Sequence, residues 1–216
     1  MKIQYDLYLL TDKTLAKGRP LEQIVKEAIL GGATLVQYRA KNTSSRRMLE
    51  EAQALLALTR RHQIPLIVND RLDIALAIDA EGVHLGQDDI PCSLARKLMG
   101  SNKIIGISAS TPEEARQAES DGADYLGVGA VFPTATKADA GEAIGLDNIR
   151  AICEAVSIPI VAIGGINLEN AASVAATGVA GLAVISALIS APDPKHTASA
   201  LKRAFYAGKA QSGSPR

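Results

Sequence analysis

One piece of local grammar recurs along this chain and restricts its fold more than any other feature. In Gly31-Gly-Ala-Thr-Leu-Val36, Asp121-Gly-Ala-Asp-Tyr-Leu126 and Thr177-Gly-Val-Ala-Gly-Leu182, a helix ends on Gly, a small residue turns the chain, and an apolar strand begins. A helix feeding straight into the next strand is the signature of parallel β/α units, because parallel strands need a crossover between them.

Eight apolar runs fit this grammar, over residues 6–10, 35–41, 64–68, 82–85, 103–107, 123–129, 158–163 and 181–185. Helical segments separate them. Pro20 opens a helix over residues 21–30 with Leu21, Ile24, Val25, Ala28 and Ile29 on one face. Asn42-Thr-Ser-Ser45 offers N-caps for a long helix ending near Arg61, and residues 71–78, 91–99 and 146–156 read as helices. Thr111-Pro-Glu-Glu114 is a capping box with Pro at the first helical position, starting a helix that runs to Ser120. Asn167 is placed to cap the helix before the last strand, and Pro192 and Pro194 precede a final helix ending near Tyr206.

Eight β/α units in this length predict an α/β fold, a single (β/α)8 TIM barrel over residues 1–206, with residues 207–216 as a polar, flexible C-terminal tail. A doubly wound open sheet is the alternative, weakened because no Gly-x-Gly-x-x-Gly turn follows the first strand.

Composition narrows the function. Hydrophobic residues are 47% of the chain and aromatics only 3%, so the interior is aliphatic and stacking platforms for nucleic acid are not expected. Lys plus Arg and Asp plus Glu both total 23, leaving no net field to attract DNA, RNA or an anionic membrane. Cys92 and Cys153 lie far apart without metal-type spacing and read as thiols of a reducing compartment. Lys2 and Asp6 interrupt the N-terminal apolar pieces, which is not a signal peptide. The apolar stretch 174–191 is broken by Thr177, Gly178, Gly181 and Ser186, which fits a helix end, a turn and a buried strand better than a membrane span. The expectation is a cytoplasmic protein acting on small molecules. A homo-oligomer is compatible with the sequence but not demanded by it.

In a barrel the residues just after each strand converge on one face, where active sites of this fold sit. Here they are Thr11 and Asp12; Gln37, Arg39 and Lys41; Asn69 and Asp70; Asp88 and Asp89; Ser108; Thr134, Thr136 and Lys137; Gly164 and Gly165; and Ser186. Alternation along a strand puts Gln37, Arg39 and Lys41 on one side, as a clamp for an anion. With carboxylates from neighbouring strands and no His or Cys beside them, the set suits an Mg²⁺–polyphosphate complex. Gly164-Gly165 and Ser186 end the seventh and eighth strands, where barrels often hold a phosphate, implying a second, phosphorylated ligand. Plainer roles stay open for each group: Arg39 and Lys41 solvating an edge, the Asp residues capping helices or pairing in loops, the glycines making a turn. Spacing does not decide between Asp88 and Asp89 as a metal ligand. His62, His84 and His196 show no ligand spacing and read as structural or exposed. No Ser-His-Asp or Cys-His arrangement emerges, and no Lys stands mid-strand in the sixth strand, which disfavours acyl transfer and Schiff-base chemistry.

Taken in order, the motifs Gln37-Tyr-Arg39-Ala-Lys41, Val68-Asn69-Asp70-Arg71, Gly82-Val-His-Leu-Gly-Gln-Asp-Asp89, Gly106-Ile-Ser108, Tyr125-Leu-Gly-Val-Gly129, Pro133-Thr-Ala-Thr-Lys137, Ile163-Gly-Gly-Ile166 and Ile185-Ser186 resemble the thiamine phosphate synthase family, from Tyr8 to about Ala204. The resemblance implies condensation of hydroxymethylpyrimidine diphosphate with hydroxyethylthiazole phosphate, releasing diphosphate by a dissociative route. It implies that the segment Gln37, Tyr38, Arg39, Ala40, Lys41, together with Asn69, Ser108 and Lys137, carries the pyrimidine diphosphate. Within that set Arg39, Lys41, Ser108 and Lys137 would act on the leaving group. Asp70 and Asp89 would bind Mg²⁺, and Thr134, Ala135, Thr136, Gly165, Ile185 and Ser186 would hold the thiazole phosphate.

The chain departs from the family pattern at Ala143, where Pro is commoner, and at Tyr38 and Ala40, where Leu and Asp are commoner; the latter two should face away from the clamp. The loop carrying Lys137, with Gly141 as a hinge, is the candidate lid. Two competing readings are a thiazole tautomerase, which shares the fold but lacks the diphosphate and metal equipment, and a non-catalytic barrel binding a phosphorylated ligand.

Overall fold

The computed structural model describes residues 3–134, 136 and 142–211. Among these, eight parallel strands pair in sequence order and close on themselves. They are β1 (Leu7–Leu10), β2 (Leu35–Tyr38), β3 (Leu66–Asn69), β4 (Gly82–Leu85), β5 (Ile104–Ala109), β6 (Tyr125–Val128), β7 (Ile160–Ile163) and β8 (Gly181–Val184). The pairing of β1 with β8, Leu7 beside Leu182, excludes the open-sheet alternative. The helices around them are α1 (Leu21–Leu30), α2 (Ser45–Arg61), α3 (Leu72–Ala77), α4 (Cys92–Met99), α5 (Pro112–Ser120), α6 (Gly145–Ala155), α7 (Ala171–Ala175), α8 (Ser186–Ile189) and α9 (Pro194–Gln211).

The helices form where an apolar stripe meets the barrel wall. In α1, Leu21, Ile24, Val25 and Ala28 are buried at the expected helical spacing. Each of the larger ones contributes about 1.5–3 kcal/mol by leaving water. Thr111 caps α5, its hydroxyl accepting from the Glu114 N–H at 3.2 Å. Glu114 reaches back to the Ser110 N–H at 2.6 Å, one residue beyond the donor a capping box would use. No described helix is long and apolar enough to cross a membrane.

Four local expectations change. β2 stops at Tyr38, so Arg39 and Lys41 belong to the loop after the strand rather than to its alternating pattern. Ser44 occupies the N-cap of α2 without a side-chain hydrogen bond. Asn167 does not cap α7, because the chain first makes a turn in which the Asn167 N–H donates to Asn170 Oδ1 at 2.9 Å. The last helix continues past Tyr206 to Gln211, since Leu201, Phe205 and Gly208 keep its inner face buried, while residues 212–216 of the expected tail lie outside the described residues.

The barrel interior is less aliphatic than composition implied. Three of the five tyrosines, Tyr5, Tyr8 and Tyr125, pack inside it, the Tyr125 ring lying 5.1 Å from Tyr5 and 6.0 Å from Tyr8 between centroids.

Candidate active site

The C-terminal ends of the strands surround a cavity of about 410 Å³. Its walls carry Arg39, Lys41, Asn69, Asp70, Asp88, Asp89 and Ser108 from β2 to β5 and the loops that follow them. From the other half of the barrel come Thr134, Thr136, Gly164, Gly165, Ile185 and Ser186. The sequence expectation that these residues converge is met in the geometry. Ala135, Lys137 and the proposed hinge Gly141 lie outside the described residues.

Arg39 is 8% exposed, and its backbone is pinned at the end of β2. The Arg39 N–H donates to Thr11 Oγ1 at 3.0 Å, and the Thr11 hydroxyl donates to the Arg39 carbonyl at 3.3 Å. Its guanidinium stands 3.4 Å from Asp12. Lys41, more exposed, reaches Asp70 at 3.0 Å. Asp70 adopts φ 61°, a left-handed conformation that Asp tolerates, between β3 and α3. Its N–H donates to the His84 carbonyl at 2.8 Å, which ties the end of β3 to β4.

The turn after β4 places Asp88 and Asp89 differently. Asp89 Oδ2 accepts from the Gly86 N–H at 2.7 Å, and Asp88 is exposed. Burial pushes the Asp89 carboxyl above its ordinary range, offset in part by the Gly86 hydrogen bond and reinforced by the charge of neighbouring Asp70. Two crowded carboxylates are hard oxygen donors that a divalent cation would relieve. Among the described residues no group of three or more His, Cys, Asp or Glu forms a complete protein cage. Asp70 and Asp89 are the described carboxylates that could contribute to a site for a hard cation, which binds through one or two carboxylates plus phosphate oxygens.

Gly164 and Gly165 do more than turn the chain. Both have positive φ, 103° and 66°. A Cβ on Gly165 would lie 2.7 Å from Phe132 Cβ, and one on Gly164 2.6 Å from Ala130 Cα. The glycines therefore let the β7 loop lie directly against the β6 loop, leaving bare backbone facing the cavity. α8 begins at Ser186, a short helix that the sequence did not reveal.

One placement follows the expected alternation and two were not foreseen. Tyr38 turns outward, donating to Glu51 of α2 at 2.9 Å, so within the clamp segment it supports the wall rather than the cavity, as its alternation predicts. Gln37 points into the barrel below the mouth, 1% exposed, with Nε2 donating to the Tyr8 hydroxyl at 2.8 Å. His84, read from the sequence as structural or exposed, lines the cavity and lies 3.0 Å from Ser108 Oγ. Its position two residues after Gly82 on a four-residue strand was the available signal, since alternation puts both on the inner face.

A closed β/α barrel whose mouth gathers cations, paired carboxylates and glycine-lined backbone is a barrel for phosphorylated ligands. The family model described as thiamine monophosphate synthase matches residues 7–188. The thiamine-phosphate synthase of Chloroflexus aurantiacus is 56% identical over 200 residues, 93% of this chain and 92% of the relative. That of Clostridium novyi is 54% identical over 193 residues, covering 89% and 95%. The solved thiamine phosphate pyrophosphorylase of Pyrococcus furiosus superposes with a TM-score of 0.87 at 46% identity, covering 95% of this chain and 98% of that one. The chain belongs to the thiamine monophosphate synthase family, and its activity is that family's transferase activity.

Proposed function

We propose that this barrel joins hydroxymethylpyrimidine diphosphate to hydroxyethylthiazole phosphate by letting diphosphate depart first, with Mg²⁺ at Asp70 and Asp89. The observation that carries this reading is the placement of Lys41, Asp70 and Asp89 on one rim of the cavity, with Arg39 and Ser108 beside them. When bound, Mg²⁺ supplies Lewis-acid stabilisation of a diphosphate leaving group.

The chain's own residues do the rest. Asp70 and Asp89 would hold the cation, and Lys41, on the same rim, binds the diphosphate. Arg39, fixed by Thr11, and Ser108 bind the same group, and Lys137 completes it. Negative charge grows on the departing oxygen, so preorganised donors lower the barrier, each typically by about 3 kcal/mol. The pyrimidine carbocation left behind is captured by the thiazole nitrogen, which needs no general base. Thr134, Thr136, Gly165, Ile185 and Ser186 orient the thiazole phosphate for that capture. The cytoplasm, where the thiols of Cys92 and Cys153 stay reduced, is the proposed compartment.

Purified protein mixed with both substrates and Mg²⁺ should release diphosphate and form thiamine phosphate. A folded protein that releases none sinks the proposal.

A further inference from the structure

A chain of hydrogen bonds crosses the barrel beneath the cavity. Gln37 Nε2 donates to Tyr8 Oη at 2.8 Å, Tyr8 Oη lies 2.9 Å from Tyr125 Oη, Tyr125 Oη lies 3.0 Å from His84 Nδ1, and His84 Nε2 lies 3.0 Å from Ser108 Oγ. It links β2, β1, β6, β4 and β5, and it ends on a residue of the diphosphate wall.

The direction of the chain is set by the Gln37 amide, oriented with Nε2 toward Tyr8. In that orientation the Tyr8 oxygen accepts from Gln37, and a one-way chain has the single Tyr8 hydrogen serving Tyr125. The single Tyr125 hydrogen then serves His84 Nδ1, which must be bare. A neutral imidazole with bare Nδ1 carries its proton on Nε2 and donates it to Ser108 Oγ. Ser108 Oγ is thereby occupied as an acceptor, and its own hydrogen is left for the cavity. Burial holds the Tyr8 and Tyr125 hydroxyls far above the ordinary tyrosine range, so both remain O–H donors at neutral pH.

Space for the chain is built into the strands. A Cβ on Gly106 would lie 2.1 Å from Tyr125 Cζ, and one on Gly127 2.8 Å from His84 Cε1. Glycine on β5 and β6 opens the room these two rings occupy.

We propose that Tyr125 and His84 are positioning residues of a one-way relay that fixes His84 as its neutral Nε2–H form and presents Ser108 as a hydrogen-bond donor to the ligand. A diphosphate oxygen, which only accepts, requires that sense; with the relay reversed, Ser108 would spend its hydrogen on His84. The identity of that ligand rests on the function proposed above, but the tautomer does not.

Two measurements test the relay. In ¹⁵N-labelled protein without substrate, long-range proton–nitrogen correlation of the histidine rings reads which nitrogen is protonated. His62→Gln and His196→Gln, on helix ends remote from the relay, identify the other rings. The expected result is a protonated Nε2 and a bare Nδ1 on His84; a proton on Nδ1, alone or with Nε2, overturns the proposal. In steady-state assays, Tyr125→Phe should lower kcat roughly tenfold, the worth of one hydrogen bond in the transition state, with KM for the thiazole phosphate unchanged. In a Ser108→Ala background the same substitution should cost nothing further, whereas losses that multiply would overturn the positioning role. A wild type with the Nε2–H form that releases no diphosphate would count against the synthase mechanism and in favour of the relay.

Discussion

The Lys41 ammonium lies 3.0 Å from an Asp70 carboxylate oxygen, joining the loop after β2 to the end of β3 before any ligand arrives. The two side chains are 49% and 30% exposed, so water and salt screen the pair and it can be rearranged at small cost. A cation entering beside Asp70 would compete with Lys41 for the carboxylate and release the ammonium toward the diphosphate.

Lys41→Ala should therefore be nearly silent in stability, within about 1 kcal/mol, because an exposed ion pair contributes little. Its turnover should fall about 100-fold, as expected for one lost donor to a developing charge. Denaturant unfolding and steady-state kinetics on the same preparation check both.

Asp89→Ala should lose turnover far more than affinity for the thiazole phosphate, whose proposed site is the opposite wall. Mg²⁺ at about 100 times its Kd should stabilise the wild type by about 2.7 kcal/mol. The substituted protein should lose most of that increment in thermal unfolding. Equal losses of turnover and thiazole phosphate affinity would mean that the metal site lies elsewhere.

The Glu51 carboxylate on α2 predicts a pH dependence. Burial pushes its pKa up, but hydrogen bonds from Lys13, Tyr38 and Arg47 outweigh that and hold it below the usual value. A depressed folded-state pKa gives stability that is complete above the unfolded value, about 4.3, and is lost as pH falls through the folded value. Glu51→Gln should destabilise by about 1 kcal/mol at pH 7, discounted for the exposure of Lys13 and Arg47. Denaturant midpoints at neutral and acid pH should show this difference vanish in acid.

Gly165→Ala tests the close approach of the β7 and β6 loops. At φ 66° with Phe132 Cβ 2.7 Å from the new methyl, the substitution should cost about 1–3 kcal/mol. KM for the thiazole phosphate should rise, while binding of the pyrimidine diphosphate changes little. Calorimetric titration of each substrate separates the two.

Much of the barrel was legible because its signals are local. Helix-stopping glycines, Pro20 and the Thr111 cap depend on neighbours in sequence, and α1 and α5 end where those signals stop them. The mouth residues were legible for a related reason, since strand ends in a closed barrel share one face whatever their sequence distance. The expected alternation of Gln37, Arg39 and Lys41 along one strand fails because β2 ends at Tyr38, and where a strand stops depends on its neighbours' register. The place of His84 beside the cavity was not legible because its partners, Tyr125 and Ser108, are 41 and 24 residues away.

The sequence by itself determined the order of the units, the residue types at each strand end and the absence of a net field. Each follows from short-range chemistry or from counting. Tertiary structure alone decided which carboxylate of Asp88 and Asp89 turns toward Asp70, that Glu51 is the partner of the outward-facing Tyr38, and that Tyr8, Tyr125 and His84 meet inside the barrel. Those outcomes depend on directed hydrogen bonds between strands that touch only when the barrel closes. A polar side chain's partner is set by geometry in three dimensions, whereas the hydrophobic period that builds the wall is written along the chain.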